Sequence, residues 1–499
     1  MAQAIPFTNQ QASGVEPLAG AGVVSMNVLV DPAGAVTRRP GIRVYPEAPT
    51  GIVSANGIEG LFATDDGRLL AVSAGPGRGV YEIGGGATHT LASAVAGTTR
   101  PVFAQTEMIV AISGGREILK YERASRTVSS LGGGPPLATH VIAHNSRLLA
   151  NDDLIDRTKI RYSSTAIGTT DYSGLEDWSF APPAGYVTAE ARPDNVVALH
   201  ENTNNVFAFG QGTVQVYGPD PSAVYLSEAT REYGCGAPYS VIKQDQAFAW
   251  LDQYGRFILS DGRSYKVISD VIDKTLGDIQ VRSDCFGYRV LEGNFDCLVW
   301  TFPTDGRTFV YQSGSGWGQW SGYNPATTNY APFTVLSHHL RQDTDVNIVG
   351  TVDGRIGELS ADVSTDLGSP IRAHIETGYV SRGTDQKKHC KRVRLVFRRG
   401  TATGPSGPQA WLSYRDRPGD WEPSIPIDLG GSTDTHPVLE LSSLGVYRRR
   451  QWRFEFTGTE DLVLVSASED FQVLEQLNGR TFWRRRTAAT DESHPWLGR

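Results

Sequence analysis

At 499 residues the chain exceeds one compact core, and 55 glycines with only 20% charged residues exclude a helical bundle. No apolar stretch approaches the roughly 20 residues needed to cross a bilayer, so a membrane partner is not expected. The net charge of −8 is split: residues 1–369 carry about 26 basic and 38 acidic side chains, residues 370–499 about 20 and 16. That split predicts different partners for the two regions. Cys235, Cys285, Cys297 and Cys390 are too few to staple the chain and read as buried hydrophobes in a reducing compartment. The start, Met1 to Phe7, has no basic region followed by an apolar run, so no signal peptide is expected and synthesis in a cytoplasm is.

Residues 1–50 read as an irregular arm. Within it, Val23 to Val30 is a strand and Arg38-Arg39-Pro40-Gly41 a turn. A strand placed before the first repeat often completes the last one and closes a ring. Asp-Gly-Arg then recurs at Asp66-Gly67-Arg68, Asp261-Gly262-Arg263, Asp305-Gly306-Arg307 and Asp353-Gly354-Arg355, with a relative at Tyr254-Gly255-Arg256. Each copy precedes a short apolar run and reads as a two-residue hairpin turn with positive φ at the glycine. Gly67, Gly262, Gly306 and Gly354 are therefore structural-turn residues. The last two intervals, 44 and 48 residues, are close to one four-stranded propeller blade. Units over 57–83, 101–131, 137–164, 195–217, 239–268, 286–323 and 333–359 predict a β-propeller of about seven blades over residues 51–365. Residues 165–192 read as a surface excursion.

After residue 365 the repeat stops. Asp366 to Pro370 reads as a linker, and about six short strands over 370–475 predict a β-sandwich. Residues 476–499 form a basic tail. The fold class is thus all-β: a propeller, a C-terminal sandwich and a tail.

Catalytic patterns are thin. Ser413, Asp416, Gly419 and Trp421 are a stretched, single version of the turn that sialidases repeat, and that turn is structural. Asn151-Asp152-Asp153 with Asp156 could offer oxygen ligands to Ca²⁺, but Lys159 and Arg161 stand near to neutralise it. His338 and His339 are adjacent on a strand and point to opposite faces, so they are poorly placed to share an ion. No catalytic, metal or cofactor residue is assigned. The alternative to a non-catalytic protein is a propeller enzyme acting on glycans, sialidase- or lyase-like, which a convergent His or carboxylate cluster at the central mouth would favour.

The basic clusters carry the candidate site. Lys387, Lys388, Lys391, Arg392, Arg394, Arg398 and Arg399 lie close together, with Arg392 and Arg394 on one strand face. Arg448, Arg449 and Arg450 form a second run, and Arg484 to Arg486 a third. Arg392, Arg394, Arg398, Arg399, Arg448, Arg449 and Arg450 are the expected partner-docking residues. The expected contact is an acidic protein ring or the acidic propeller of a neighbouring copy, with a phosphate backbone the second choice. Aromatic interleaving is too sparse for base reading.

The chain also resembles the packaged-DNA stabilisation proteins, or tail accessory factors, of short-tailed phages. The resemblance rests on Asn27-Val28-Leu29-Val30-Asp31-Pro32 leading to Arg39-Pro40-Gly41-Ile42, on Tyr233-Gly234-Cys235-Gly236-Ala237 leading into Ala247 to Leu251, and on Trp317-Gly318-Gln319-Trp320. It continues through Leu412 to Trp421, Leu444-Gly445, Arg448 to Arg450 and Trp452-Arg453-Phe454, covering most of residues 20–475. Arg417-Pro418 departs from the family's glycines. The resemblance implies a virion protein of the tail or neck, a tail hub or head-completion factor that docks below the portal vertex and retains packaged DNA. The implied partners are a portal or portal-adaptor ring, a tail needle or tail fibre protein and further copies of the chain (about six on assembly), with the packaged DNA backbone as a further contact.

Overall fold

The computed structural model describes residues 2–7, 15–16 and 25–474, apart from 76, 96, 153, 168–170, 190–193, 221–223, 342, 401–408, 430–433 and 459–460. The basic tail from residue 476, with Arg484 to Arg486, lies outside the described residues. So do Asp153 and most of residues 8–24.

Seven four-stranded antiparallel meanders follow one another over residues 58–95, 102–130, 141–188, 196–231, 242–267, 286–320 and 335–360. We number them blades 1 to 7. The seventh takes its fourth strand from the N-terminal region: Gly41–Val44 pairs antiparallel with Ile356–Ser360. The closing strand is thus Gly41–Val44. The earlier predicted strand, ending in Val28–Val30, instead belongs to the C-terminal domain. The first strands of all seven blades, or the residues just before them, contribute to the wall of one axial cavity. The fold is a β-propeller.

The blade strands are apolar on both faces because each blade is sandwiched between two others. In Leu69–Ser73, Leu69 and Ala71 join a core with Ile348 and Ile356 of blade 7. Leu70 and Val72 join a core with Val110 and Tyr121 of blade 2. Phe248 and Trp250 likewise face Phe207 and Phe209 of blade 4, while Ala249 and Leu251 face blade 6. This is why the sequence shows short continuous apolar runs rather than alternation. Burial stabilises by roughly 1.5–3 kcal/mol per large side chain, and nearly all of it is shared between neighbours.

The glycine turns keep their positive φ but are not two-residue loops. Thr64 N donates to Arg68 O, and Gly67 N donates back to Thr64 O. Thr351 with Arg355 and Gly354, and Asp252 with Arg256 and Gly255, repeat the pattern. Each loop is three residues long with glycine at the left-handed bulge position. The first residue adds a side-chain acceptor: Arg68 N, Arg355 N and Arg256 N bond Thr64 Oγ1, Thr351 Oγ1 and Asp252 Oδ1 at 3.0, 2.9 and 2.8 Å. Gly262 and Gly306 sit in differently built turns, at φ 84° and 64°. The recurring tripeptide therefore does not mark one position per blade.

The segment read as a surface excursion keeps an exposed stretch at residues 179–183 but also sends side chains into the interior. Leu175 and Trp178 enter the core between blades 2 and 3, and Gly185–Thr188 is the fourth strand of blade 3. The segment read as a linker is a tight hairpin, Thr365–Asp366 against Ser369–Pro370, hydrogen-bonded onto blade 7.

Residues 373–473 form two sheets that enclose one core containing Val393, Leu395, Phe397, Trp452 and Phe454. The N-terminal region completes this sandwich: Ile5, Phe7, Val28, Val30 and Val36 lie in the same core. Ser25–Met26 bridges Gly316–Trp320 of blade 6 to Ala373–Glu376, so one nine-stranded sheet runs from the propeller into the sandwich. All four cysteines are free and buried.

Gly354 tests the turn assignment. A Cβ there would lie 1.6 Å from Ser54 O, at φ +83°. Gly314 has the same φ but open space around its Cβ. Gly354→Ala is expected to cost about 3 kcal/mol or more, and Gly314→Ala about 1 kcal/mol. Denaturant unfolding followed by tryptophan fluorescence distinguishes the two; equal costs would refute the packing argument.

Candidate docking surface

The strand Lys388–Arg399 lies between Leu462–Val473 and Val438–Ser442. Alternation along it sends Val393, Leu395 and Phe397 into the core, fully buried. Arg392, Arg394 and Arg398 project from the opposite, solvent-exposed face. Arg392 is 3.2 Å from Glu440, an exposed pair of little energetic weight. Arg394 and Arg398 have no hydrogen bond or ion pair among the described residues. On the neighbouring strand Ser468 opposes Arg394 and Val463 opposes Arg398.

Two of the seven expected docking arginines are not on the surface. Arg399 shares the inward parity of Val393, Leu395 and Phe397, is 6% exposed, and donates to Leu429 O at 3.2 Å. Arg450 is 1% exposed. Its Nε and Nη2 hold Asp416 Oδ1 and Oδ2 at 2.7 and 2.9 Å, and Nη1 donates to Leu444 O at 2.7 Å. Its guanidinium also lies 4.0 Å from the Tyr414 ring and 4.4 Å from the Tyr447 ring. Arg450 therefore fixes the Asp416 turn, which is the structural part of the stretched sialidase-like segment. Lys388 is interior as well, donating to Thr384 O and Gln386 O. Arg448 and Arg449 are exposed, Arg448 donating to Asp385 O at 2.7 Å. The surface thus consists of Arg392, Arg394 and Arg398, with Arg448 and Arg449 near the Lys388 end of the strand. The parity of Arg399 was readable in the sequence; the burial of Arg450 required the tertiary contact with Asp416.

The second candidate region is the axial cavity, about 250 Å³. His140, His200, His338 and His339 line it with Arg100 and Tyr239. The histidines are already engaged in packing. His140 stacks on Tyr239 at 5.0 Å, His338 on Tyr288 at 4.7 Å, and His339 packs on Phe62 at 5.0 Å. His338 and His339 thus turn toward different blades. Arg100 Nη1 donates to Glu59 O and Leu336 O, and its guanidinium lies 3.9 Å from the Phe286 ring. Glu59, a carboxylate of the lining, is paired with Arg78. Among the described residues no three His, Cys, Asp or Glu side chains are grouped to hold a metal. Near Asn151, the carboxylate of Asp152 caps Ile155 N at 3.1 Å, and Asp156 pairs with Lys159 at 3.0 Å.

Burial pushes His140 and His338 down to about 3, and His200 and His339 down to about 4. These rings stay neutral in the fold while the unfolded chain protonates near pH 6.5. Their contribution to stability is complete above pH 6.5 and is lost as pH falls through 4 toward 3. The thermal midpoint is expected to fall steadily from pH 6.5 to 4. His140→Phe, which keeps the stack on Tyr239, should remove about one proton from the uptake on unfolding near pH 5. An unchanged proton uptake in calorimetry would contradict this.

A family model described as Bacteriophage P22 Gp10, beta-propeller, matches residues 50–364. The chain belongs to this family of phage stabilisation proteins. Its matched region is the propeller of a structural phage protein family. No curated protein sequence matches the chain. Among solved structures, U3-55K aligns with TM-score 0.43 and 12% identity over 64% of this chain and 99% of its own. The N-terminal domain of Nup159 aligns with TM-score 0.40 and 9% identity over 68% and 99%. These likenesses are too distant to assign a role to the phage stabilisation protein.

The two classes of arginine separate experimentally. Arg450→Gln is expected to cost about 3 kcal/mol, because it strands a partly buried carboxylate and empties an aromatic cage. Arg394→Gln and Arg398→Gln are expected to stay within about 0.5 kcal/mol of the parent. Equal stability of all three variants in denaturant melts would overturn the division.

Proposed function

We propose that this phage stabilisation protein is a non-catalytic virion component of the tail or neck, a tail hub or head-completion factor. It docks below the portal vertex after assembly in the host cytoplasm, retains packaged DNA and connects head to tail. The observation that supports this reading is the family match over residues 50–364, which covers the propeller apart from its closing strand. The docking contact is assigned to Arg392, Arg394 and Arg398, because Arg394 and Arg398 carry charges with no partner among the described residues. Their partner is an acidic ring, a portal or its adaptor. About six copies assemble on that ring, and a tail needle or fibre protein follows below. The phosphate backbone of the packaged DNA is a secondary contact for the same charges.

The cavity histidines bear on the enzyme alternative. They are packed against aromatic rings, and Glu59 is committed to Arg78. An acid–base pair free to reach a glycan is not among the described lining residues, so the structural reading is preferred.

The triple substitution of Arg392, Arg394 and Arg398 to Gln tests the docking surface. The variant is expected to fold normally and to attach to portal assemblies at least about tenfold more weakly. Particles completed with it should leak DNA. Attachment of the parent protein should weaken as salt rises from 50 to 300 mM (a range set by the screening length of about 8 Å at 0.15 M). Unchanged attachment of the triple variant would remove this face from the proposal.

A further inference from the structure

The sandwich ends in an unpaired sheet edge beside the arginine face. Among the described residues Val438–Ser442 is the last strand of its sheet and pairs only with Lys388–Arg399. Its bonding parity follows from the flanking contacts: Ser443 N donates to Lys391 O, Phe397 N to Pro437 O, and Arg399 N to Thr435 O, each at 3.0 Å. In an antiparallel ladder the bonded pairs alternate, so Leu439 and Leu441 bond toward Leu395 and Val393. The N–H and C=O groups of Val438, Glu440 and Ser442 point out of the sheet, with no backbone partner among the described residues.

The side chains of this edge are equally incomplete. Leu439 and Leu441 pack against the sandwich core yet are only partly buried. Val438 is 48% exposed. In the facing sheet, Ile425–Ile427 is also a terminal strand, and Ile425 is likewise partly buried against the same core. Both sheets therefore stop short of covering the core at this side. Edge strands are usually blunted by charges, prolines or bulges. Here the strand carries a single charge, Glu440, in an exposed pair with Arg392.

We infer that Val438–Ser442 accepts an extended segment of the docking partner as an added β-strand, with apolar residues alternating inward and acidic residues outward. Three features of the edge specify that occupant. The outward backbone groups of Val438, Glu440 and Ser442 require an extended chain. The half-covered Leu439 and Leu441 require an apolar side chain at every second position on the inner face. Arg394 lies opposite Glu440 and two strand spacings, about 10 Å, from the added strand, and Arg392, Arg394 and Arg398 give this face three positive charges against that one carboxylate, a net attraction for acidic side chains. A partner strand that was basic on its outer face would be repelled by Arg394 and Arg398. The inference rests on the docking reading and adds the geometry of the contact.

The test uses proline at the outward positions. Glu440→Pro and Ser442→Pro each remove an N–H that the fold does not use, so the thermal midpoint should stay within about 2 °C of the parent. Attachment to portal assemblies should nevertheless fall at least about tenfold. Glu440→Gln, which keeps the N–H and frees Arg392 for the acidic partner, should attach at least as tightly as the parent, and a tenfold loss in this variant would overturn strand addition. Hydrogen exchange on the full-length protein gives a second measurement that does not depend on any variant. The amides of Val438, Glu440 and Ser442 should exchange freely in the isolated protein and become protected in the assembled particle. Attachment of the parent with these amides still exchanging freely would overturn strand addition while leaving the docking reading intact. It would point to a flat protein contact or to DNA. Protection that grows with concentration of the isolated protein would overturn it in favour of a second copy. Failure of the parent to attach at all would refute the docking reading and this inference together.

Discussion

The buried guanidinium of Arg39 is the interaction on which the two halves of the molecule depend. All five of its N–H donors are used: Nε on Asn27 Oδ1, Nη1 on Pro40 O and Asp366 Oδ1, Nη2 on Ser321 O and Asp366 Oδ2. Its plane lies 4.6 Å from the ring of Phe333. Asn27 continues the network through Ser321 Oγ and Arg372 O at 3.1 and 2.8 Å. Asn27 holds φ 58°, a conformation that asparagine tolerates better than most residues. In this way the N-terminal segment, the end of blade 6, the hairpin after blade 7 and the residue leading into the first strand of the sandwich meet on the linked side chains of Arg39 and Asn27. A lysine could supply the charge but not the planar fork. Loss of either ion-pair partner would leave a buried charge, at a cost of about 3–5 kcal/mol.

Around that staple neither half is a self-contained unit. Each blade presents two apolar faces and hides them only in company, so the propeller gains its stability as a ring. The sandwich borrows Ile5, Phe7, Val28, Val30 and Val36 from the opposite end of the chain. The residues that joined the family resemblance at Asn27 to Ile42 are therefore residues of the junction. Their role is to set the position of the sandwich relative to the ring, and with it the position of the arginine face.

The propeller and the sandwich were legible because their signals are local. Continuous apolar runs bounded by glycine turns announce strands buried on both faces, and the loss of that rhythm after residue 365 announces a different domain. The turn geometry was less legible. Asp-Gly alone does not reveal that Thr64 or Thr351, two residues earlier, sets a three-residue loop. Long-range contacts were not legible at all. Nothing local distinguishes Arg450, held by Asp416 and two tyrosines, from its exposed neighbours Arg448 and Arg449. Trp178 likewise sits in a stretch rich in proline and serine, yet Leu175 and Trp178 are core residues between two blades.

The strand Gly41–Val44 gives the ring an order of events. Arg43 pairs with Glu358, 315 positions away. At roughly 5–20 residues per second of synthesis, the first-made strand waits about 15–60 s for the blade it completes. During that interval blade 1 has no neighbour on its Leu69 and Ala71 side, and its apolar face is open to solvent. The propeller cannot close blade by blade as it leaves the ribosome; it closes once, late, when its seventh blade arrives. Such a chain is most vulnerable to aggregation while nearly finished. Nicking between residues 44 and 58 would cut the covalent link between the clasp and blade 1, leaving the blade 7–blade 1 seam held by side-chain packing such as that of Leu69 and Ala71 on Ile348 and Ile356.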